Sequence, residues 1–372
     1  MSDLIPTLVS DGQILAEVNG CLGLITLNRP QALNALSLAM IRDMTTLLRH
    51  WAGCSEIQSV AVLGAGRGEG KPPAFCAGGD IRFFHQAAHT GDPALGDFFT
   101  EEYRLNHLIH HFPKPYIALM DGIVMGGGMG ISQGAKLRVL SERSKLAMPE
   151  TAIGLFPDVG GGYFLAQCPG HVGEWLALTG HTIAAGDAIE WGLGDVYVPA
   201  SQWTELVQAL RATPQPSAEH VVATVMERAD LAPTADPKAA AERIDRHFGE
   251  PTLAGILDSL AGAGDDWARQ THETLLTRSP TMMAVTLELV RRGRKLGLAD
   301  DLRLERDLVH HAFHLRGAAH SETVEGIRAL AVDKGHAPRW NPSTVAEVDA
   351  AEVAAFFVSP WSPAEHPLRD LS

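Results

Sequence analysis

Few features of the sequence point outside a reducing, aqueous compartment. Cysteine is scarce: the four residues Cys21, Cys54, Cys76 and Cys168 are scattered over 372 positions and form no CxxC pair, which indicates reduced thiols. No apolar run reaches the length of a membrane span. The first twelve residues have neither the basic nor the apolar region of a secretory signal. These absences predict a cytoplasmic protein.

Basic residues are also in the minority, since 30 Lys and Arg face 44 Asp and Glu for a net charge of -14. This balance argues against non-specific binding to nucleic acid or to an anionic membrane. It does not exclude an anionic ligand, because a local site can be positive on an acidic surface. The chain has no internal repeat and no low-complexity tract.

The composition and the residue pattern of the chain change near Pro199. Before it, short apolar strands alternate with helical patterns and glycine clusters. After it, alanine-rich, charged segments predict helices at 201–211, 217–229, 237–248, 251–262, 266–277, 280–293, 298–315 and 321–333. We therefore predict an α/β core over residues 1–200 and a C-terminal helical region over 201–372.

Near the N-terminus the pattern is specific enough to predict single elements. Strands at 13–18 and 21–27 flank Asn19-Gly20, the preferred centre of a type I′ hairpin turn. Ser37 is a plausible N-cap for a helix from Leu38 to about Trp51 with one apolar face.

The stretch 115–164 carries the strongest functional signal. An apolar strand enters the glycine cluster 126–130, where a helix begins with free backbone N–H groups. Glu150 and Asp158 follow in a mostly apolar run, where an unpaired carboxylate is costly. They either cap the helices that begin near Thr151 and Val159 or belong to a catalytic site.

A second glycine pair, Gly78-Gly79, follows the apolar residues at 75–77 and permits close backbone approach. It is either a tight turn or, with the cluster at 126–128, a source of N–H donors for one oxyanion. Backbone donors and a semi-buried carboxylate are the parts that acyl transfer requires.

Other motifs favour structural readings. The loop 64–73 lacks the first glycine of a P-loop, and Pro72 follows Lys71. The histidines at 107, 110 and 111 and at 310, 311 and 314 have no obvious carboxylate or cysteine partner for a metal. Cys76 has no protease-type surroundings and is expected to be a small buried residue rather than a nucleophile.

FCAGGDI (75–81), MGGGMG (125–130) and PETAIGLFPDVGGG (149–162) together resemble the crotonase (enoyl-CoA hydratase/isomerase) superfamily, and within it the 3-hydroxyisobutyryl-CoA hydrolases. The resemblance extends from about residue 13 to 345, with support from LNRPQALNALS (27–37) and EEYRLN (101–106). It implies an α/β fold: a crotonase-like ββα spiral core with a C-terminal helical region.

Site residues follow from the same resemblance. The oxyanion hole is expected from the backbone N–H groups of Gly79 and Gly127, and the shared catalytic acid is expected at Glu150. The substrate contacts of the hydrolases correspond to Glu102 and Asp158, in addition to Gly127 and Glu150.

Coenzyme A enters this picture as part of the substrate. It is expected along the backbones at 32–36 and 75–81, with contacts at Ala35, Ala77, Gly78, Asp80 and Ile81. Arg29, Arg67 and Lys334 are candidate phosphate contacts, and neither a metal nor a separate cofactor is expected.

Departures from the hydratase pattern indicate the branch. Hydratases have a second catalytic glutamate where this chain has Gly130, and they have glycine where it has Asp158. Water addition to a double bond requires two carboxylates, whereas thioester hydrolysis requires a polarised carbonyl and one carboxylate acting as base or nucleophile. Gln133 and Thr323 replace a histidine and a phenylalanine that the hydrolases often have, and the second change bears on CoA contacts or helical packing.

The expected reaction is therefore hydrolysis of a short 3-hydroxyacyl-CoA, with 3-hydroxyisobutyryl-CoA as the substrate in valine breakdown. The alternatives are a hydratase or isomerase of an unusual acyl-CoA, and a non-catalytic acyl-CoA-binding protein. Crotonases form trimers or hexamers, although the helical region here could cover that surface instead.

Overall fold

The computed structural model describes residues 4–212, 217–233 and 237–372. The strands are β1 (Ile14–Asn19), β2 (Leu22–Leu27), β3 (Ser59–Gly64), β4 (Ala74–Cys76), β5 (Tyr116–Met120), β6 (Ile123–Met125), β7 (Leu137–Leu140), β8 (Lys145–Ala147) and β9 (Val196–Tyr197). The α-helices are α1 (Leu38–Gly53), α2 (Ile81–Thr90), α3 (Ala94–His110), α4 (Gly127–Gln133), α5 (Gly161–Ala166), α6 (Val172–Thr179), α7 (Ala185–Glu190), α8 (Ala200–Ala212), α9 (Ala218–Met226), α10 (Pro237–Phe248), α11 (Leu253–Gly262), α12 (Asp266–Leu275), α13 (Pro280–Gly293), α14 (Leu298–His314), α15 (Glu322–Ile327) and α16 (Ala350–Phe356). A short 3-10 helix spans Glu150–Ile153.

The chain forms two compact units whose segments alternate along the sequence. The first unit contains the described residues of 1–79, 104–146 and 183–235, and the second those of 80–103, 147–182 and 236–372. None of these boundaries falls at residue 200. The division predicted there rests on composition alone and stays a prediction.

The first unit is built on a six-stranded sheet in the order β1-β2-β3-β5-β7-β9, in which every pair after the antiparallel β1–β2 hairpin is parallel. Strands β2 and β5 are buried along their whole length, as expected for strands covered on both faces. Helices α8 and α9 pack Trp203, Leu206 and Val221 into the core of this sheet. The first two helices after residue 200 thus share a hydrophobic core with the strands, because an apolar sheet face must be covered.

A smaller sheet, in the order β4-β6-β8, presents the glycine turns. The parallel pairing of β4 with β6 places the segments that leave these two strands side by side.

The second unit consists of helices and connecting loops. Helix α13 is buried around most of its surface and packs against α5 and α6, whereas α14 has both buried and exposed positions. Ser279 caps α13 by accepting a hydrogen bond from the Met282 N–H, with Pro280 at the first helical position, as the sequence predicts.

Most predicted elements are confirmed within a few residues. Ser37 caps α1, and the predicted apolar face of that helix is buried. Helix α2 was missed: Asp80 starts it by accepting a hydrogen bond from the Phe83 N–H. The hairpin prediction holds, but its centre was wrong by one residue. Asn19 pairs with Leu22, so Gly20-Cys21 forms the loop and Gly20 carries the positive φ.

Among the described residues, no helix has both the length and the apolar character needed to cross a membrane.

Candidate active site

In the first unit, the turn after β4 is fixed by the segment that precedes α1. The Leu36 N–H donates to the Gly78 carbonyl at 2.8 Å, and the Ala77 N–H donates to the Leu33 carbonyl at 3.1 Å. Gly78 has a φ of +99°, which explains the glycine. Leu36 and Gly79 form a parallel β-bridge, and the hydrogen bond on the Leu36 side is donated by the Leu36 N–H to the Gly78 carbonyl. That hydrogen bond does not use the N–H of Gly79.

The second turn lies against the first. Gly127 is the first residue of α4, where a backbone N–H has no acceptor within its own helix. A Cβ on Gly128 would lie 2.3 Å from the Cys76 carbonyl oxygen, and one on Gly78 would lie 3.5 Å from the Gly127 nitrogen. The two turns that hold the predicted oxyanion donors Gly79 and Gly127 are therefore neighbours within one unit.

The predicted CoA contacts lie in two different parts of the structure. Ala35, Ala77 and Gly78 belong to the bridged segments of the first unit. Asp80 and Ile81 begin α2, and the Asp80 side chain is engaged as the cap of that helix.

The second unit brings the three predicted acids together. Glu102 lies on α3, Glu150 is the first residue of the 3-10 helix, and Asp158 lies in the loop before α5. Their exposed fractions are 2%, 6% and 5%, so all three are buried. Neither Glu150 nor Asp158 caps a helix through its side chain, so the capping alternative is wrong.

Burial dominates the electrostatics of this acidic cluster, which we define as Glu102, Glu150 and Asp158. Burial raises the pKa of Glu150 well above its ordinary value, and the charge of Asp158 raises it further. The pKa of Glu102 is raised by burial and then by the charges of Asp158 and Glu150. Burial also raises the pKa of Asp158, to about 6, and the hydrogen bond from Tyr103 opposes this rise. The Tyr103 hydrogen bond therefore favours the ionised form of Asp158.

Two oxygens of the cluster remain available to a substrate or a water. Glu102 Oε1 and Glu150 Oε2 are buried and have no hydrogen-bond partner among the described residues. Because an unpaired buried acceptor carries its full desolvation cost, these two atoms mark where a polar ligand group would bind.

Tyr103 is a site residue that the sequence did not reveal. Its hydroxyl donates to Asp158 Oδ2 at 2.8 Å, and burial raises the tyrosine pKa so that the hydroxyl stays a donor. It is adjacent to Glu102 in EEYRLN, and that adjacency was the available signal.

Two more acids were missed because they lie far away in sequence. Glu305 accepts hydrogen bonds from the Gly160 and Gly162 N–H groups, and Asp301 accepts one from the Tyr163 N–H. They lie about 140 residues beyond the loop that they hold, as their sequence separations of 145, 143 and 138 show.

Several other candidates have structural partners. Arg29 donates to the Ala35 carbonyl at 3.0 Å and Arg67 to the Pro72 carbonyl at 3.1 Å. Gln133 donates to the Leu193 carbonyl at 3.1 Å. Thr323 is buried and donates to the Gly154 carbonyl at 2.6 Å. Lys334 has a φ of +56°, in the left-handed region.

The histidines within each cluster contact one another. The rings of His310 and His314 stack at 4.4 Å, and those of His107 and His111 lie 4.1 Å apart. Within the described ranges, no group of three or more His, Cys, Asp or Glu residues is placed to hold a metal ion. All four cysteines are free thiols, and Cys76 is buried.

Comparisons with known proteins identify the family of this chain. A family model described as enoyl-CoA hydratase/isomerase matches residues 22–357. The mitochondrial 3-hydroxyisobutyryl-CoA hydrolase of Xenopus tropicalis is 40% identical over 356 residues, which cover 94% of this chain and 90% of that protein.

Two solved structures match at 38% identity. A carnitinyl-CoA dehydratase from Mycobacterium thermoresistibile has a TM-score of 0.86 and covers 95% of this chain and 98% of its own. An enoyl-CoA hydratase from Rhodobacter sphaeroides 2.4.1 has a TM-score of 0.83 and covers 94% and 98%. These likenesses confirm the predicted crotonase-like α/β fold with C-terminal helices.

Proposed function

This chain belongs to the enoyl-CoA hydratase/isomerase family, and we propose that it hydrolyses 3-hydroxyisobutyryl-CoA to 3-hydroxyisobutyrate and CoA. The observation that carries this choice is the acidic cluster, in which Asp158 lies buried with Glu150 and Glu102 while Gly130 offers no second carboxylate on α4. The Xenopus tropicalis relative has this activity in its name, which supports the same substrate.

In this proposal Glu150 is the reacting carboxylate. It either attacks the thioester carbonyl carbon, forming an anhydride that water then cleaves, or removes a proton from an attacking water. In both routes the carbon–sulfur bond breaks, CoA leaves as the thiol and the acyl group leaves as a carboxylic acid. Glu150 must lose its own proton first, because burial raises its pKa.

Asp158 and Glu102 are proposed to hold the 3-hydroxyl group of the substrate. Asp158 accepts the Tyr103 hydrogen bond on Oδ2, which favours its ionised form. The unpartnered Glu102 Oε1 suits a second contact to the same hydroxyl.

The backbone N–H groups of Gly79 and Gly127 are proposed to polarise the thioester oxygen. Each such donor contributes roughly 3–4 kcal/mol to transition-state stabilisation in acyl transfer. We propose CoA contacts at the backbones of Ala35, Ala77, Gly78, Asp80 and Ile81, with CoA as part of the substrate and without a metal or separate cofactor.

A second candidate is favoured by the solved structures, which are named as a dehydratase and a hydratase. In a hydratase of this kind Asp158 would replace the glutamate that is missing at Gly130. An acyl-CoA-binding protein without turnover is the remaining alternative.

Three CoA esters separate these functions in the purified protein. We expect thiol release from 3-hydroxyisobutyryl-CoA, with much slower release from isobutyryl-CoA, which lacks the hydroxyl. Loss of enoyl absorbance from methacrylyl-CoA without thiol release would identify a hydratase instead. Tight binding without any turnover would identify a binding protein.

Location and assembly are also proposals. A cytoplasmic location was predicted from the free thiols, but the Xenopus tropicalis relative is named mitochondrial, so the comparison does not support it. Fractionation of the native cells would decide between a cytoplasmic and a mitochondrial location. A homotrimer or homohexamer is proposed from the family, and light scattering on the purified chain distinguishes both from a monomer.

A further inference from the structure

The turn that follows Asp158 holds two successive residues in the left-handed region. Val159 has a φ of +58° and Gly160 a φ of +88°. Glycine adopts this conformation freely, whereas a β-branched valine is strained in it. Such strain persists only where the surrounding structure fixes the backbone, and it is concentrated at functional sites.

Two acids of α14 fix this backbone. Glu305 Oε2 accepts the Gly160 N–H at 2.7 Å, and Glu305 Oε1 accepts the Gly162 N–H at 3.0 Å. One helical turn earlier, Asp301 Oδ2 accepts the Tyr163 N–H at 2.9 Å. A single carboxyl group thus holds two N–H groups of the segment that begins two residues after Asp158.

This arrangement is buried and closely fitted. Glu305 and Asp301 are both fully buried. A Cβ on Gly162 would lie 2.3 Å from Asp301 Oδ1, so only glycine lets the acids reach the backbone here. Burial raises the pKa of both acids, that of Asp301 to about 7, and the charge of Asp301 raises the pKa of Glu305 further.

We propose that Glu305 is a positioning residue: it holds the strained Val159–Gly160 turn and thereby fixes Asp158 against the substrate hydroxyl. The inference rests on the proposed function, in which Asp158 binds that hydroxyl. Without the two bonds from Glu305, Val159 relaxes out of the left-handed region and moves the neighbouring Asp158 with it.

Glu305→Gln tests this with little change of size. The amide keeps one acceptor oxygen, but its NH2 group faces a backbone N–H, so one of the two bonds is replaced by repulsion between donors. Misplacement of a contact group by about 1 Å costs up to roughly 100-fold in rate. We therefore expect the preference in kcat/KM for 3-hydroxyisobutyryl-CoA over isobutyryl-CoA to fall about tenfold or more.

Glu174→Gln is the matched control. Glu174 is a buried glutamate on α6 whose carboxylate is bonded to Arg294 and His171. The same substitution there is expected to lower stability and to leave the substrate preference unchanged. A loss of preference in both variants would overturn the positioning role, because general destabilisation would explain it.

Amide hydrogen exchange of the peptide 158–167 reads the turn independently of activity. We expect faster exchange in Glu305→Gln and not in Glu174→Gln; unchanged exchange would overturn the proposal. Faster exchange with an unchanged preference would show that Glu305 holds the turn without serving the substrate, and would also overturn it. If Glu305→Gln does not fold, Glu305→Asp, which is too short to hold both N–H groups, is measured in the same way.

Failure of the proposed function has a different signature. In that case the wild-type protein itself releases no thiol from any 3-hydroxyacyl-CoA, and the positioning role fails with it, whatever the exchange data show.

Discussion

Tyr103→Phe is expected to raise the pKa of Asp158 and to shift the pH dependence of hydrolysis toward alkaline values. The substitution removes one hydroxyl, which donates to Asp158 Oδ2 at 2.8 Å, and leaves the ring in place. A hydrogen bond to a charged group contributes about 1.5–3 kcal/mol. Since one pKa unit corresponds to 1.36 kcal/mol, the pKa of Asp158 should rise from about 6 to roughly 7–8.

The sign of the effect follows from which form accepts the bond. The carboxylate accepts the tyrosine O–H, so losing the donor disfavours the carboxylate and the proton is retained to higher pH. At pH 7 the ionised fraction of Asp158 falls about two- to tenfold, and kcat/KM should fall in proportion and recover above pH 8 or so. The assay is thiol release from 3-hydroxyisobutyryl-CoA between pH 5 and 9.

The pH dependence of stability is a second test of the hydrogen bond between Tyr103 and Asp158. The folded-state pKa of Asp158 is raised, so its stability contribution is complete below the ordinary value of 3.8 and is lost as pH rises through about 6. In the variant this loss continues to roughly pH 8. The free energy of unfolding, measured with denaturant, should therefore differ between the two proteins by a constant amount below about pH 6. Above about pH 6 that difference should grow, because only the variant continues to lose stability.

Tyr116→Phe is the matched control, because Tyr116 is also fully buried and its hydroxyl has no partner among the described residues. It should leave the pH–rate profile unchanged. An acid limb that stays in place or moves to lower pH in Tyr103→Phe would refute the reasoning.

Three further substitutions have definite expectations. Glu150→Gln should lower kcat by about 100-fold or more while the protein stays folded, because an amide is neither a base nor a nucleophile; full activity would exclude the assigned role. Gly162→Ala should destabilise by about 1–3 kcal/mol in denaturant unfolding, since its Cβ meets Asp301 and Leu289, whereas Gly53→Ala, with open space at its Cβ, should not. Thr323→Val should cost about 1–3 kcal/mol, because the buried Gly154 carbonyl loses its donor; an unchanged Tm would contradict this.

Local sequence signals predicted the elements well, because the information that sets them is local. The helices after residue 200 have apolar periodicity and clear start signals, such as Ser279-Pro280. Helix α2 was not predicted, because its N-cap, Asp80, directly follows a glycine turn that was interpreted as part of a ligand site.

The tertiary partners of the site were beyond a local reading. Glu102, Glu150 and Asp158 were found because family motifs contain them. Glu305 and Asp301 lie on a helix whose periodicity is that of any amphipathic helix, and nothing in their neighbourhood shows that they face a loop 138–145 residues earlier. The alternation of the two compact units has the same cause, since it depends on which faces pack together.

The acidic cluster has a physical logic that joins stability to chemistry. Among the described residues no basic group lowers the pKa of Glu102, Glu150 or Asp158. Burial raises all three pKa values, and the charge of Asp158 raises those of Glu102 and Glu150 further. A protein selected for stability alone would have replaced such acids or paired them, because an uncompensated buried carboxylate is costly. A hydrolase gains from the same cost, because an acid whose pKa lies near neutrality exchanges its proton at the working pH. The hydrogen bond from Tyr103 opposes this cost at Asp158 and favours its ionised form, the form that accepts a hydroxyl group of the substrate.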